Sequence, residues 1–218
     1  MTAKSDINGR IVTGIYGGSF SPIHTGHTAF ARQLVACGIV TQMWLVVSPR
    51  NPLKHDGLWD DDLRLRLAGI ALAGDDDVQV SDVEFSLPRP SYMITTLDTL
   101  GARYPGREFV LIIGQDNWEC FRDWYRWQDI LARYRVVVIP RNTHPDTSCA
   151  PSGTVTEAPL MQVVDGSLQP IHGKRVRLID MSSTWIRDQI AHNPAYQGQG
   201  LHPEVWDYIR KNHHEKVF

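Results

Sequence analysis

Residues 14–27 read GIYGGSFSPIHTGH. They overlap a short apolar strand pattern, Ile11 to Tyr16, and lead into a helical pattern over 28–37. A strand that passes through a glycine-rich turn into a helix start is a phosphate site by construction. Gly17 and Gly18 carry no Cβ, so the backbone can turn sharply and approach a ligand closely. The helix start presents unpaired N–H groups and a partial positive charge to an anion. His24 and His27 stand at that mouth, as hydrogen-bond donors whose charge changes near neutral pH. His-x-x-His also has the spacing of two metal ligands. No third ligand follows at motif spacing, so no resident metal is expected.

A second island occupies 182–187, Ser-Ser-Thr-Trp-Ile-Arg. Ser182, Ser183 and Thr184 directly precede an apolar periodic run, which makes them N-cap candidates. The helix is expected to run through Ile190 and stop near Asn193-Pro194. Ser183 and Arg187 are four residues apart and share a helix face. Hydroxyls, terminal amides and a guanidinium there make a second anion site; a capped surface helix with a solvated arginine is the plainer alternative.

Outward from these islands, strand and helix signals alternate. Strand patterns fall at Ile11–Tyr16, Gln42–Val47, Val78–Val83, Phe109–Ile113, Arg135–Ile139 and Val176–Ile179. Several are unbroken Val/Ile/Leu runs, as expected of strands covered on both faces. Helical patterns lie between them at 28–37, 60–73, 91–103 and 126–133, the second opening on Asp60, Asp61 and Asp62. This order implies an α/β fold, a doubly wound parallel sheet with right-handed crossovers, in one domain over 1–218. Such sheets bind ligands beyond the carboxyl ends of their strands. Residues 141–175 are rich in Pro, Ser, Thr and Gly and are expected to form a long, flexible surface excursion, with at most a short hairpin near Met161–Val164. A small helical part over 182–218 ends the chain, its last helix carrying Pro203 in the first turn.

The chain has 218 residues and a formal net charge of −2, with scattered basic residues. Nothing in that balance draws it to nucleic acid or to a membrane surface. No apolar stretch approaches the roughly 20 residues of a membrane helix. The opening MTAKSDINGR lacks a secretory signal's apolar segment, so the cytoplasm is the expected compartment. Cys37, Cys120 and Cys149 are odd in number and widely spaced, which argues against a disulfide framework and a structural zinc site.

A third block, Leu111 to Trp127, begins as a buried strand and ends in a turn at Gly114-Gln115-Asp116. Asp116 can accept hydrogen bonds from a ribose or from nearby backbone. Trp118, Trp124 and Trp127 follow within ten residues, as stacking surfaces for a flat ring or as core.

The joint pattern G-G-S-F-S-P-I-H-T-G-H, with S-S-T-W-I-R far downstream, resembles the two halves of the ATP clamp in the H-x-G-H nucleotidyltransferase superfamily. The blocks SPRNPLK, PRPSYMITTLDTL and LIIGQDNWECFRDWY lie between them in an order similar to the nicotinate-nucleotide adenylyltransferase family, across nearly the whole chain. The resemblance implies a Rossmann-like nucleotidyltransferase fold and adenylyl transfer from ATP to nicotinate mononucleotide, giving deamido-NAD and pyrophosphate. It implies that Gly17, Gly18, Ser19, Phe20, His24, His27, Ser182, Ser183, Thr184 and Arg187 hold ATP, with Gly114 and Asp116 lining the adenosine pocket. His24, His27 and Arg187 are the implied catalytic groups. Trp124 is expected to stack on the pyridine ring, with Ser91, Tyr92 and Tyr125 nearby, and Lys54 to reach phosphate from a mobile loop. Mg²⁺ would be carried by the ATP phosphates. The attacking phosphate is already an anion, so no general base is required; positioning and charge neutralisation are the tasks. Two positions depart from the family pattern: Ser21 stands where Asp is usual, and Met93 where Thr often follows Ser-Tyr. The alternatives are an enzyme acting on nicotinamide mononucleotide or pantetheine phosphate, or a nucleotide-binding protein without turnover.

Overall fold

The computed structural model describes residues 9–49, 58–140 and 155–212. In chain order the first half contains β1 (Ile11–Gly18), α1 (Thr25–Ala36), β2 (Gln42–Val47), α2 (Asp61–Ala71), β3 (Val78–Ser81) and α3 (Met93–Arg103). The second half contains β4 (Arg107–Gly114), α4 (Gln115–Glu119), α5 (Trp127–Arg133), β5 (Arg135–Ile139), β6 (Val155–Val164), β7 (Ser167–Ile179), α6 (Ser183–His192) and α7 (Pro203–Asn212).

The strands form one sheet in the order β3-β2-β1-β4-β5-β6-β7. The first five are parallel, and β6 and β7 are added antiparallel. Strand alternation explains the two cores. Met43, Leu45 and Val47 of β2 face one layer, with Phe30 and Leu34 of α1, Leu67 of α2, Ile186 of α6 and Val205 of α7. Trp44 and Val46 face the other, with Ile94, Leu97 and Leu100 of α3 and Ile130 of α5. Each fully buried Leu or Ile contributes about 1.5–3 kcal/mol relative to exposure. The sheet is therefore doubly wound, as the alternating pattern implies. The chain leaves β1 toward β2 and β3, then returns to β4 on the other side of β1. In open sheets of this kind, such a reversal is where a ligand crevice lies, here beyond the carboxyl ends of β1 and β4.

Boundaries moved for local reasons. Asp60 caps α2 from outside, its carboxylate accepting from the N–H groups of Asp62 (3.0 Å) and Leu63 (3.2 Å). The third strand ends at Ser81, because Val83–Ser86 winds into a 3-10 turn. Helix α1 starts at Thr25, ahead of the expected 28.

The reading of 141–175 as an excursion is corrected over its second part. Residues 155–179 form a long hairpin, β6 and β7, that extends the sheet through Val137↔Gln162 and Val138↔Met161. Its turn is Asp165-Gly166, both with positive φ (49° and 75°). Residues 141–154 and Lys54 lie outside the described residues. Among the described residues no helix is long and apolar enough to cross a membrane.

Candidate active site

The phosphate turn grows from the end of β1. A Cβ on Gly18 would sit 2.9 Å from the Phe20 ring, which folds back over the turn with a φ of +45°. His24 is the N-cap of α1, in extended conformation. Its backbone N–H donates to Nδ1 of His27 at 3.2 Å. That acceptor role places the proton of a neutral His27 ring on Nε2. The two imidazoles stack, centroids 3.6 Å apart and 22° from parallel. A Cβ on Gly26 would lie 3.0 Å from the His24 ring, so the glycine of H-x-G-H leaves room for that ring beside the helix start. Burial pushes the His24 pKa down to about 3, against a smaller opposing effect of a backbone hydrogen bond. His24 is therefore a neutral imidazole throughout the physiological range.

Helix α6 brings the second island to the same place. Ser182 caps it, accepting from the Trp185 N–H at 3.4 Å. The Ser183 hydroxyl donates to the carbonyl of Pro22 (2.9 Å), and the Arg187 guanidinium donates to the carbonyl of Ser21 (2.5 Å). Arg187 also donates to the Thr184 hydroxyl at 3.3 Å. Two motifs more than 160 residues apart are thus joined by direct hydrogen bonds. Burial lowers the Arg187 pKa from its usual value, but a guanidinium keeps its charge. Ser21 stands at the position of the usual Asp, and its hydroxyl accepts from the Trp59 N–H at 2.9 Å. It ties the turn to the segment before α2, a task that needs an acceptor rather than a charge.

The other half of the crevice lies at the start of α3 and after β4. A Cβ on Gly17 would meet the end of Met93 at 2.5 Å, so the phosphate strand and the Ser91-Tyr92-Met93 block are in contact. Tyr92 caps α3 and packs on Tyr125, ring centroids 4.6 Å apart. Trp124 is half-buried, with its ring 5.1 Å from Phe121. Trp118 stacks on Phe121 from a different position (5.3 Å), and Trp127 packs on the same core. Gly114 and Asp116 open α4 at the end of β4; a Cβ on Gly114 would collide with the Asp116 carboxylate.

Three buried polar residues outside the expected site set, Arg64, Ser48 and Glu84, hold these parts together. Arg64 is fully buried and donates to the carbonyls of Ser19 (2.5 Å), Ser48 (3.0 Å), Pro49 (3.3 Å) and Trp59 (2.9 Å), and to the Asp61 carboxylate (2.6 Å). Its signal in the sequence is a charge on the apolar stripe of α2, in register with Leu67, Ala68 and Ala71. Ser48 opens the SPRNPLK block, and Glu84 carries no such signal.

Buried polar groups ordinarily have partners. Among the described residues five buried side-chain atoms have none: Ser19 Oγ, His24 Nδ1, Ser91 Oγ, Trp124 Nε1 and Trp44 Nε1. The first four belong to residues that the motifs assign to ligand binding. The arrangement offers neutral donors, a helix start and one guanidinium, which suits an anion with several oxygens.

The chain is similar in sequence and in fold to known proteins. The Cytidylyltransferase-like family model matches residues 15–189. A Bacteroides thetaiotaomicron protein named probable nicotinate-nucleotide adenylyltransferase is 40% identical over 203 residues, 93% of this chain and 92% of its own length. A Flavobacterium johnsoniae protein of the same name is 35% identical over 205 residues, covering 93% and 98%. Among solved structures, Plasmodium falciparum nicotinic acid mononucleotide adenylyltransferase complexed with NaAD matches the fold with a TM-score of 0.66, at 17% identity, over 93% of this chain and 96% of that one.

Proposed function

The chain belongs to the family of the nicotinate-nucleotide adenylyltransferases, and from that premise we propose how its own residues divide the work of adenylyl transfer from ATP to nicotinate mononucleotide. The reaction forms a bond between the mononucleotide phosphate oxygen and the α-phosphorus of ATP, and breaks the bond to pyrophosphate. Negative charge moves onto the leaving group, so preorganised donors are what the site must supply. His27, with its ring proton on Nε2, donates to the phosphate oxygens at the start of α1. His24 adds a second neutral donor. Ser182, Ser183 and Thr184, with the N–H groups of α6, and Arg187 receive the outer phosphates. Gly17, Gly18, Ser19 and Phe20 shape the turn over which the triphosphate lies, and Gly114 and Asp116 receive the adenosine. On the other side of the turn, Ser91, Tyr92, Trp124 and Tyr125 receive the pyridine nucleotide. Lys54 joins from the segment between β2 and α2. Mg²⁺ enters as part of the nucleotide substrate, MgATP, held mostly by phosphate and water. The cytoplasm, where ATP is abundant, is the compartment that fits.

The observation that carries this reading is the set of buried polar atoms without partners, Ser19 Oγ, His24 Nδ1, Ser91 Oγ and Trp124 Nε1, on both sides of the phosphate turn. A site completed by a polar ligand is expected to leave such atoms without a protein partner. The test is pyrophosphate release with ATP and, in turn, nicotinate mononucleotide, nicotinamide mononucleotide and pantetheine phosphate. Turnover with the first at the highest kcat/KM is expected. Binding of ATP without turnover of any of the three would contradict the reading.

A further inference from the structure

Glu84 is 1% exposed, in the turn that follows β3. A carboxylate so far from water needs donors. It has two: the Ser48 hydroxyl donates to Oε2 and the Thr96 hydroxyl donates to Oε1, each at 2.7 Å. Those donors belong to opposite halves of the crevice. The Ser48 N–H donates to the carbonyl of Gly18, the last residue of β1, at 2.9 Å. The Ser48 carbonyl shares Arg64 with the carbonyl of Ser19. Thr96 lies in the first turn of α3, and its N–H donates to the carbonyl of Tyr92 at 3.2 Å. One buried carboxylate therefore spans the phosphate turn and the helix that carries Ser91, Tyr92 and Met93. Burying a carboxylate is costly, and apolar packing does not require one here. What the carboxylate adds is two directional bonds of fixed length.

We propose that Glu84 is a positioning residue that sets the spacing between the ATP half and the pyridine-nucleotide half of the crevice, and so aligns the attacking phosphate with the α-phosphorus. The inference rests on the reading of the crevice as a two-substrate site. Each half keeps its own contacts when the bridge is cut, so binding survives while alignment is lost. Misplacement by about 1 Å is enough to cost on the order of 10²-fold in rate.

The experiment compares the parent with Glu84→Ala and Glu84→Gln in steady-state and single-turnover kinetics, well below each Tm. In Glu84→Ala, kcat is expected to fall at least about tenfold, with KM for ATP and for nicotinate mononucleotide each within about threefold. Glu84→Gln is expected to restore kcat to within about threefold. Its carbonyl still accepts from Ser48 and its amide donates to Thr96, whose hydroxyl proton turns to the Tyr92 carbonyl already 3.4 Å away. Glu84→Ala at the parent rate, a loss confined to KM, or no rescue by Gln overturns the proposal. Should Glu84→Ala fail to fold, Thr96→Val cuts one arm without changing shape: a fall in kcat at unchanged KM supports the proposal, and an unchanged kcat overturns it. Absence of turnover in the parent overturns the reading of the crevice as well, which separates the two failures.

Discussion

At the scale of single residues, identity was legible and environment was not. The motifs picked out His24 and His27 by type and spacing, but only packing tells which ring is buried. His24 lies under the turn with its pKa lowered to about 3 by burial. That shift makes stability depend on pH. Between the ordinary histidine value of 6.5 and about 3, the unfolded chain binds a proton that the native His24 refuses. The contribution is therefore fully present above the unfolded value and is lost as pH falls through that window, by at most about 1.4 kcal/mol per unit. Denaturant unfolding at pH 7 and pH 5 is expected to show the parent losing about 2 kcal/mol more than His24→Gln, which lacks the titrating ring. Equal losses would place His24 in water. Arg187 differs, because it bonds the Ser21 carbonyl as well as the Thr184 hydroxyl before any ligand arrives. Arg187→Ala should raise KM for ATP and lower kcat, together by at least about tenfold in kcat/KM. Steady-state kinetics at varied ATP checks this, and an unchanged KM for ATP would remove Arg187 from the outer phosphates.

Among the elements, long apolar runs declared themselves and the hairpin did not. Strand β2 is buried at every position, and its expected bounds coincide with the observed ones. The hairpin is exposed or half-buried at every strand position except Leu160 and Val176, and carries Pro159, with a register shift between Pro159 and Met161. Exposed strands that alternate weakly look like loop in a sequence. The overlooked signal was Asp165-Gly166 between Val163-Val164 and Ser167-Leu168, a two-residue turn that wants positive φ at both positions. Gly166→Ala is expected to cost roughly 1–2 kcal/mol in equilibrium unfolding, because a Cβ is strained at φ +75°. No loss would mean that this turn does not form. The start of α1 was misplaced for a related reason. Gly26 is a poor helix former and hides the first turn, which is instead fixed by the His24 N–H to His27 Nδ1 bond.

For the whole molecule, the strand order was what the alternating pattern could not specify by itself, and it decides function. Placing β1 between β2 and β4 brings the turn after β1 beside Gly114 and next to the α3 block. Trp124→Ala should raise KM for the mononucleotide by about one to two orders of magnitude, the value of one ring stack, with KM for ATP nearly unchanged. Global unfolding of that variant, or equal loss for both substrates, would make Trp124 a member of the Phe121 core only. Nicotinate mononucleotide should be preferred over the amide by at least about tenfold in kcat/KM, and parity in competition kinetics would contradict that. The most direct measurement concerns the phosphate turn as the seat of the chemistry. His27→Asn keeps an acceptor for the His24 N–H and removes the Nε2 donor, so the helix start is preserved while the proposed contact to the reacting phosphates is lost. Pyrophosphate release from MgATP and nicotinate mononucleotide should fall by roughly 10²–10³ in kcat, with Tm and mononucleotide affinity unchanged. A rate within about threefold of the parent, a difference of only about 0.65 kcal/mol, would contradict the account.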